Sequence, residues 1–205
     1  MTKRAIVAVL VLALGGCGGA PAVPDFTWYR MPRPQPLEPH ATPLFDAPIV
    51  VEAFGADGLY ADQALVYALD PGAQRLRQYH YQLWTDPPTR IVQRRLLAQL
   101  RDAGAASTVT DELPKSRPAV RIGGVILRLD RVPGDAGGFT AVAALKLRAS
   151  AIDGEPIIDD YYRAQAPAAD ATLQATVDAY GAALDTIFRR FDADLRAKAG
   201  HRDAR

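Results

Sequence analysis

Between Tyr79 and Gly104 the sequence reads YHYQLWTDPPTRIVQRRLLAQLRDAG, and within it the side-chain period changes once. Tyr79 and Tyr81 alternate with His80 and Gln82, which is the period of a half-buried strand, and Trp84 ends that run. Asp86 is placed to accept hydrogen bonds from the free amides of a following helix. Pro87 suits the first turn of that helix, where a missing N–H costs nothing. Val92, Leu96, Leu100 and Ala103 then recur on one helical face, interrupted by Gln99, while Arg90, Arg94, Arg95 and Arg101 lie mostly off it. Gly104 is the expected C-terminal cap. A strand, an aromatic corner, a double-proline helix start and an amphipathic helix fix the architecture around them. They carry no chemistry of their own.

The N-terminus sets the compartment. Lys3 and Arg4 precede the apolar run Ala5 to Leu14, and Gly15 and Gly16 lead to Cys17, the single cysteine. Ten apolar residues are too few to span about 30 Å of hydrocarbon, so residues 1–16 read as an export signal. Leu14-Gly15-Gly16-Cys17 resembles the bacterial lipobox, which implies diacylglyceryl transfer to the Cys17 thiol, cleavage before it and acylation of the new amine. Several acyl chains anchor stably where one holds only marginally. Gly18 in place of an aspartate implies the outer membrane. A lone cysteine excludes an internal disulfide framework and a multi-cysteine zinc site.

The rest is expected to be one domain. Residues 17–25 read as lipidated N-terminus and tether, residues 26–199 as the folded body, and residues 200–205 as a frayed tail. The proline-rich segment 32–48 is counted within the 26–199 body, although residues 18–48 hold eight of the sixteen prolines, a tether-like composition. Phe26 to Met31 interrupts it as an aromatic edge strand, or as a partner-docking peptide. Ile49–Phe54, Ala64–Leu69 and Arg75–Trp84 follow as strands, the last two a hairpin with Tyr67 near Tyr79.

Val120–Val132 carries Gly123-Gly124, which suggests a bulge there, with Val125, Leu127 and Leu129 on one face and Ile126, Arg128 and Asp130 on the other. Pro133 to Gly138 turns it back into Phe139–Ile152, and Ile157–Ala164 follows. Asp170 caps a final helix whose stripe runs from Leu173 through Val177, Tyr180, Leu184, Phe188 and Phe191 to Leu195. That stripe could join two chains, but the domain's own sheet needs a cover. The expectation is an α+β fold: a mainly antiparallel sheet covered by helices at about 87–103 and 170–197.

Charge and motif content narrow the function. The formal charge is +1, and loss of Lys3 and Arg4 with residues 1–16 leaves 22 basic against 23 acidic side chains. Such a balance offers no field for nucleic acid. There is no phosphate loop, nucleophile elbow or zinc-binding helix motif. His40, His80 and His201 fall in a linker, a strand and a tail, so no metal or other cofactor is expected. Asp159-Asp160 point to opposite faces of a strand. The Arg90, Arg94, Arg95 group could meet phosphate headgroups or an acidic partner, though a solvated helix face is the simpler reading. An enzyme is not expected.

Taken together, the chain resembles the ABC-type transport auxiliary lipoproteins, the PqiC-like lipoproteins of MCE transport systems. The likeness rests on the lipobox ending at Cys17, Trp28-Tyr29, Leu65-Val66-Tyr67, and Tyr79-His80-Tyr81-Gln82-Leu83-Trp84 running into Pro87-Pro88. It continues through Leu96, Leu97 and Leu100 to Tyr180-Gly181-Ala182-Ala183-Leu184. The resemblance implies a lipid-anchored protein on the periplasmic face of the outer membrane that assists an MCE-domain protein with its ABC permease and ATPase. Such systems move lipids or other hydrophobic molecules. Trp28, Tyr29, Tyr79 and Tyr81 are the expected partner or lipid contacts, and self-association is left open. The alternative is a structural lipoprotein partner of lipopolysaccharide or β-barrel assembly machinery.

Overall fold

The computed structural model describes residues 24–134 and 137–202. The expected signal segment, Cys17, the start of the tether, Asp135-Ala136 of the turn and the last residues of the tail lie outside them.

β7 (Val120–Pro133) is the spine of one curled, mixed sheet. One edge of it pairs along its whole length with β8 (Phe139–Ser150), which in turn pairs with β9 (Pro156–Pro167), both antiparallel. The other edge is covered in succession by three short parallel strands: β2 (Ile49–Val51), β3 (Gly55–Ala56) and β4 (Ala64–Ala68). Two arms extend from these. β4 forms the expected hairpin with β5 (Leu76–Trp84), and β1 (Thr27–Tyr29) adds parallel to β5. At the other end β6 (Val109–Thr110) pairs with β2. The long pairings are thus antiparallel, as the turn signals required, and the short ones parallel.

The bulge in β7 is not where the glycines are. Ile126 pairs with Leu145 and Arg128 with Ala144, so Leu127 is the extra residue. It shifts the alternation: Ile122 and Ile126 are buried before it, and Leu129 after it. Leu127 therefore does not share a face with Leu129, and Asp130, expected on the polar face, is fully buried. Gly124 has a different task. A Cβ there would lie 2.8 Å from the Lys146 carbonyl oxygen and 2.7 Å from the Phe54 ring, so only glycine admits this packing.

Two helices cover the sheet, as expected. α1 (Pro88–Asp102) buries Val92, Leu96 and Leu100 and fastens to β2 through Gln93 Nε2, which donates to the Val51 carbonyl at 2.9 Å. Its cap differs from expectation: Pro87 stands at the N-cap without a side-chain bond, and Asp86 instead faces Arg94 at 3.4 Å. α2 (Leu173–Arg202) lays its stripe, Val177, Tyr180, Leu184, Phe188, Phe191 and Leu195, onto β8 and β9. Alanines 141, 143 and 149 of β8 let it come close. This packing uses the stripe within the chain. Thr172 caps α2 by accepting from the Ala175 amide at 3.1 Å. Asp170, the expected cap, accepts from the Thr172 amide one turn earlier, and the Thr172 hydroxyl and amide hold its carboxyl below the usual range.

The proline-rich segment, tether-like in composition, packs into the body. From Arg30 to Phe45 it runs as a strap between the two helices, with Met31 and Leu37 buried in the core. His40 and Leu44 donate their amides to the carbonyls of Ala103 and Ala105 just past α1. Prolines along this path hold it extended and leave few amides that need partners.

Candidate functional site

The strap is held by a buried polar seam. Arg95 on α1, read as part of a solvated face, is only 5% exposed. Its Nε and Nη2 donate to Oδ1 and Oδ2 of Asp185 on α2 at 3.0 and 2.8 Å, and its Nη1 donates to the Pro32 carbonyl at 2.7 Å. Gln99, which interrupts the α1 stripe, donates to Asp185 and to the Gln35 carbonyl. The Gln35 amide completes the seam on Asp185 Oδ2. Further along, His40 meets Asp192 at 2.9 Å, and Arg196 bridges Asp192 to the Glu38 carbonyl. Each charge here is consumed by a partner, which is the pattern of a structural seam.

A second buried group lies near the start of α2. Arg131 donates to Thr176, to the Tyr79 hydroxyl at 2.7 Å and to the Ala171 carbonyl, while its guanidinium sits 3.3 Å from the Phe139 ring centroid. Asp130 accepts from Arg128 and from Tyr60. Burial and then Asp130 push the Tyr60 hydroxyl well above its ordinary value, and burial does the same at Tyr180. None of this resembles a poised acid or nucleophile. Among the described residues, no group of histidine, cysteine, aspartate and glutamate is placed to hold a metal. Asp159 pairs with Lys146 at 3.0 Å and Asp160 accepts from the Tyr161 amide, so the two exposed carboxylates have separate partners and do not converge on one point.

The four aromatic contact candidates divide. Trp28 is 53% exposed on the edge strand β1, whereas Tyr29 packs against the core opposite Trp84. Tyr79 stacks on Tyr67, ring centroids 4.4 Å apart, and its hydroxyl serves Arg131. Tyr81 is half-buried under the edge of Phe26. Phe26, 59% exposed, joins Trp28 as the presented pair. Beside them a groove of about 340 Å³ opens between the strap and α1, with Arg30, Arg33 and Arg94 at its rim and Thr85, Asp86 and Ile91 in its wall. Sequence reasoning gave Phe26 to Met31 as an edge strand or docking peptide, but took only Trp28 and Tyr29 from it as contacts and passed over Arg33. The period-two order Phe26, Trp28, Arg30 was the available signal.

A family model for the ABC-type transport auxiliary lipoprotein component matches residues 29–190. The solved structure of protein XCC0632 from Xanthomonas campestris, a DUF330 protein, superposes with a TM-score of 0.71 at 16% identity, covering 87% of this chain and 99% of that one. A second, of an uncharacterized protein, has a TM-score of 0.61 at 12% identity and covers 85% and 99%. These likenesses establish a shared fold. No curated protein matches the sequence.

Proposed function

Because the chain belongs to the ABC-type transport auxiliary lipoprotein component family, we propose that it serves an MCE-type ABC system that moves lipids or other hydrophobic molecules across the cell envelope. It does so by binding and not by catalysis. Acyl chains on Cys17 hold it to the periplasmic face of the outer membrane, and the body docks the envelope-spanning part of the transporter. The observation that carries this reading is the family match over nearly the whole folded body. Two further features support it. The buried ionisable groups are committed to structural partners, and among the described residues no helix is long and apolar enough to cross a membrane.

The test is a mild-detergent pull-down of the tagged mature protein from native membranes, with mass spectrometry of the co-purifying chains and of the N-terminal peptide. Recovery of an MCE-domain protein with its permease and ATPase, and a diacylglyceryl mass on Cys17, is the expected result. Recovery of a β-barrel or lipopolysaccharide-export protein alone would replace the transport reading with an assembly role.

A further inference from the structure

We propose that the edge formed by β1 and the mouth of the strap–α1 groove seats on an anionic bilayer surface. Phe26 and Trp28 lie at headgroup depth, and Arg30, Arg33 and Arg94 lie against lipid phosphates. The proposal rests on the membrane anchoring proposed above and adds a specific orientation to it.

Three observations converge on this edge. The first is apolar exposure. Six large hydrophobic side chains are exposed among the described residues, and two of them stand two positions apart at one edge, Trp28 on the short strand β1 and Phe26 just before it. Aromatic rings of this kind settle at a membrane–water interface.

The second is charge. The chain as a whole is nearly neutral, yet here Arg30 and Arg33 have no ion-pair partner among the described residues. Arg90 and Arg94 share the single carboxylate of Asp86, at 3.9 and 3.4 Å. Against the carboxylates of Asp25 and Asp86 the four guanidinium groups still leave a positive excess, and the guanidinium fork suits two phosphate oxygens. Arginine beside exposed aromatics is a combination that anionic lipid satisfies with both its charge and its hydrocarbon.

The third is reach. Pro24, the first described residue, follows Cys17 by seven positions, a span of at most about 25 Å when fully extended. A body acylated at Cys17 therefore stays close to the bilayer, and β1 is the first element it presents there.

The test uses the mature chain from residue 17 with Cys17→Ser, so that no acyl chain contributes. It is mixed with vesicles of equal parts phosphatidylethanolamine and phosphatidylglycerol, or of phosphatidylcholine alone. Flotation is read together with tryptophan emission. Trp84 is 1% exposed and Trp28 53%, so a blue shift on binding reports Trp28.

We expect flotation and a blue shift with the anionic vesicles only. Each arginine at an anionic surface strengthens binding by roughly fivefold, so Arg30→Gln with Arg33→Gln should weaken it by roughly 25-fold. Added salt should weaken it too. Trp28→Phe should bind without the shift. Both sites are exposed, and an unchanged thermal melt would show that the variants fold.

Absent flotation, equal binding to phosphatidylcholine, or full binding by the double glutamine variant would overturn the proposal. If the glutamine variant instead lost the transporter in the pull-down while vesicles never bound, the edge would be a protein-docking surface. The vesicle result stands without Cys17, so a missing acyl mass would defeat the anchoring reading separately.

Discussion

Gly181 on α2 faces Pro32 of the strap so closely that a Cβ on Gly181 would lie 2.7 Å from Pro32 Cγ and 3.4 Å from Arg95 Nη2. In an ordinary exposed helix, glycine to alanine gains up to about 1 kcal/mol. Here the sign reverses. Gly181→Ala must push the strap off α2, and we expect a net loss of about 1–3 kcal/mol in urea unfolding. An unchanged or raised midpoint would mean that the strap yields freely.

Arg95 and Asp185 should behave as one unit. Removing either charge strands the other inside the protein, so Arg95→Met alone or Asp185→Leu alone should cost about 3–5 kcal/mol. The double variant should recover much of that loss, because two apolar side chains leave no orphan charge. A double-mutant cycle measures this directly. Additive losses would show that the pair is not coupled.

Neighbouring glycines in β7 give a matched comparison. At Gly123 a new Cβ meets only the Glu52 side chain, at 3.6 Å, whereas at Gly124 it meets a backbone carbonyl at 2.8 Å that cannot rotate away. Gly123→Ala should unfold within about 0.5 kcal/mol of the parent. Gly124→Ala should lose about 1–3 kcal/mol. Chemical denaturation of the two variants side by side checks the difference.

Stability should fall at alkaline pH. Burial raises the hydroxyls of Tyr60, Tyr162 and Tyr180 above their ordinary value near 10, assisted by Asp130 at Tyr60 and Tyr180 and by Asp194 at Tyr162. A raised tyrosine favours the protonated form in the folded state. Its contribution is therefore complete below about pH 10, where the unfolded chain titrates, and is lost as pH rises toward the folded value. Denaturation midpoints should hold from pH 8 to about pH 9.5 and then drop as pH rises past about 10. Tyr162→Phe, which loses the 2.6 Å bond to Asp194 for about 1 kcal/mol near neutrality, should flatten that drop.

The elements were legible in the sequence because their signals are local. The strand–corner–helix from Tyr79 to Gly104, the β4–β5 hairpin, the long β7–β8 pair and the α2 stripe each follow from periodicity and turn residues within one window. What was missed depends on distant residues. Arg95 looked solvated because Asp185, which buries it, lies 90 positions away. Gln99 looked like a flaw in a stripe, although its amide ties Gln35 to Asp185. The proline-rich segment has the composition of a linker, and only the cleft between two helices makes it core. The bulge was assigned to Gly123-Gly124 because glycine permits one, but glycine also permits close packing, and at Gly124 packing is what is used. At the candidate site, exposure decided between four aromatics, and exposure cannot be read from residue type.

The strap has a kinetic side as well. Its residues 32–40 emerge early in synthesis, yet the groups that lock them, Gly181, Asp185 and Asp192, come about 150 positions later. Contacts of such separation form late and only after a large loop has closed. The contacts to α1 can form sooner, but the strap is not closed on its second side until the end of the chain arrives. On the envelope location proposed above, that delay would leave the polypeptide open for threading through a membrane before it folds.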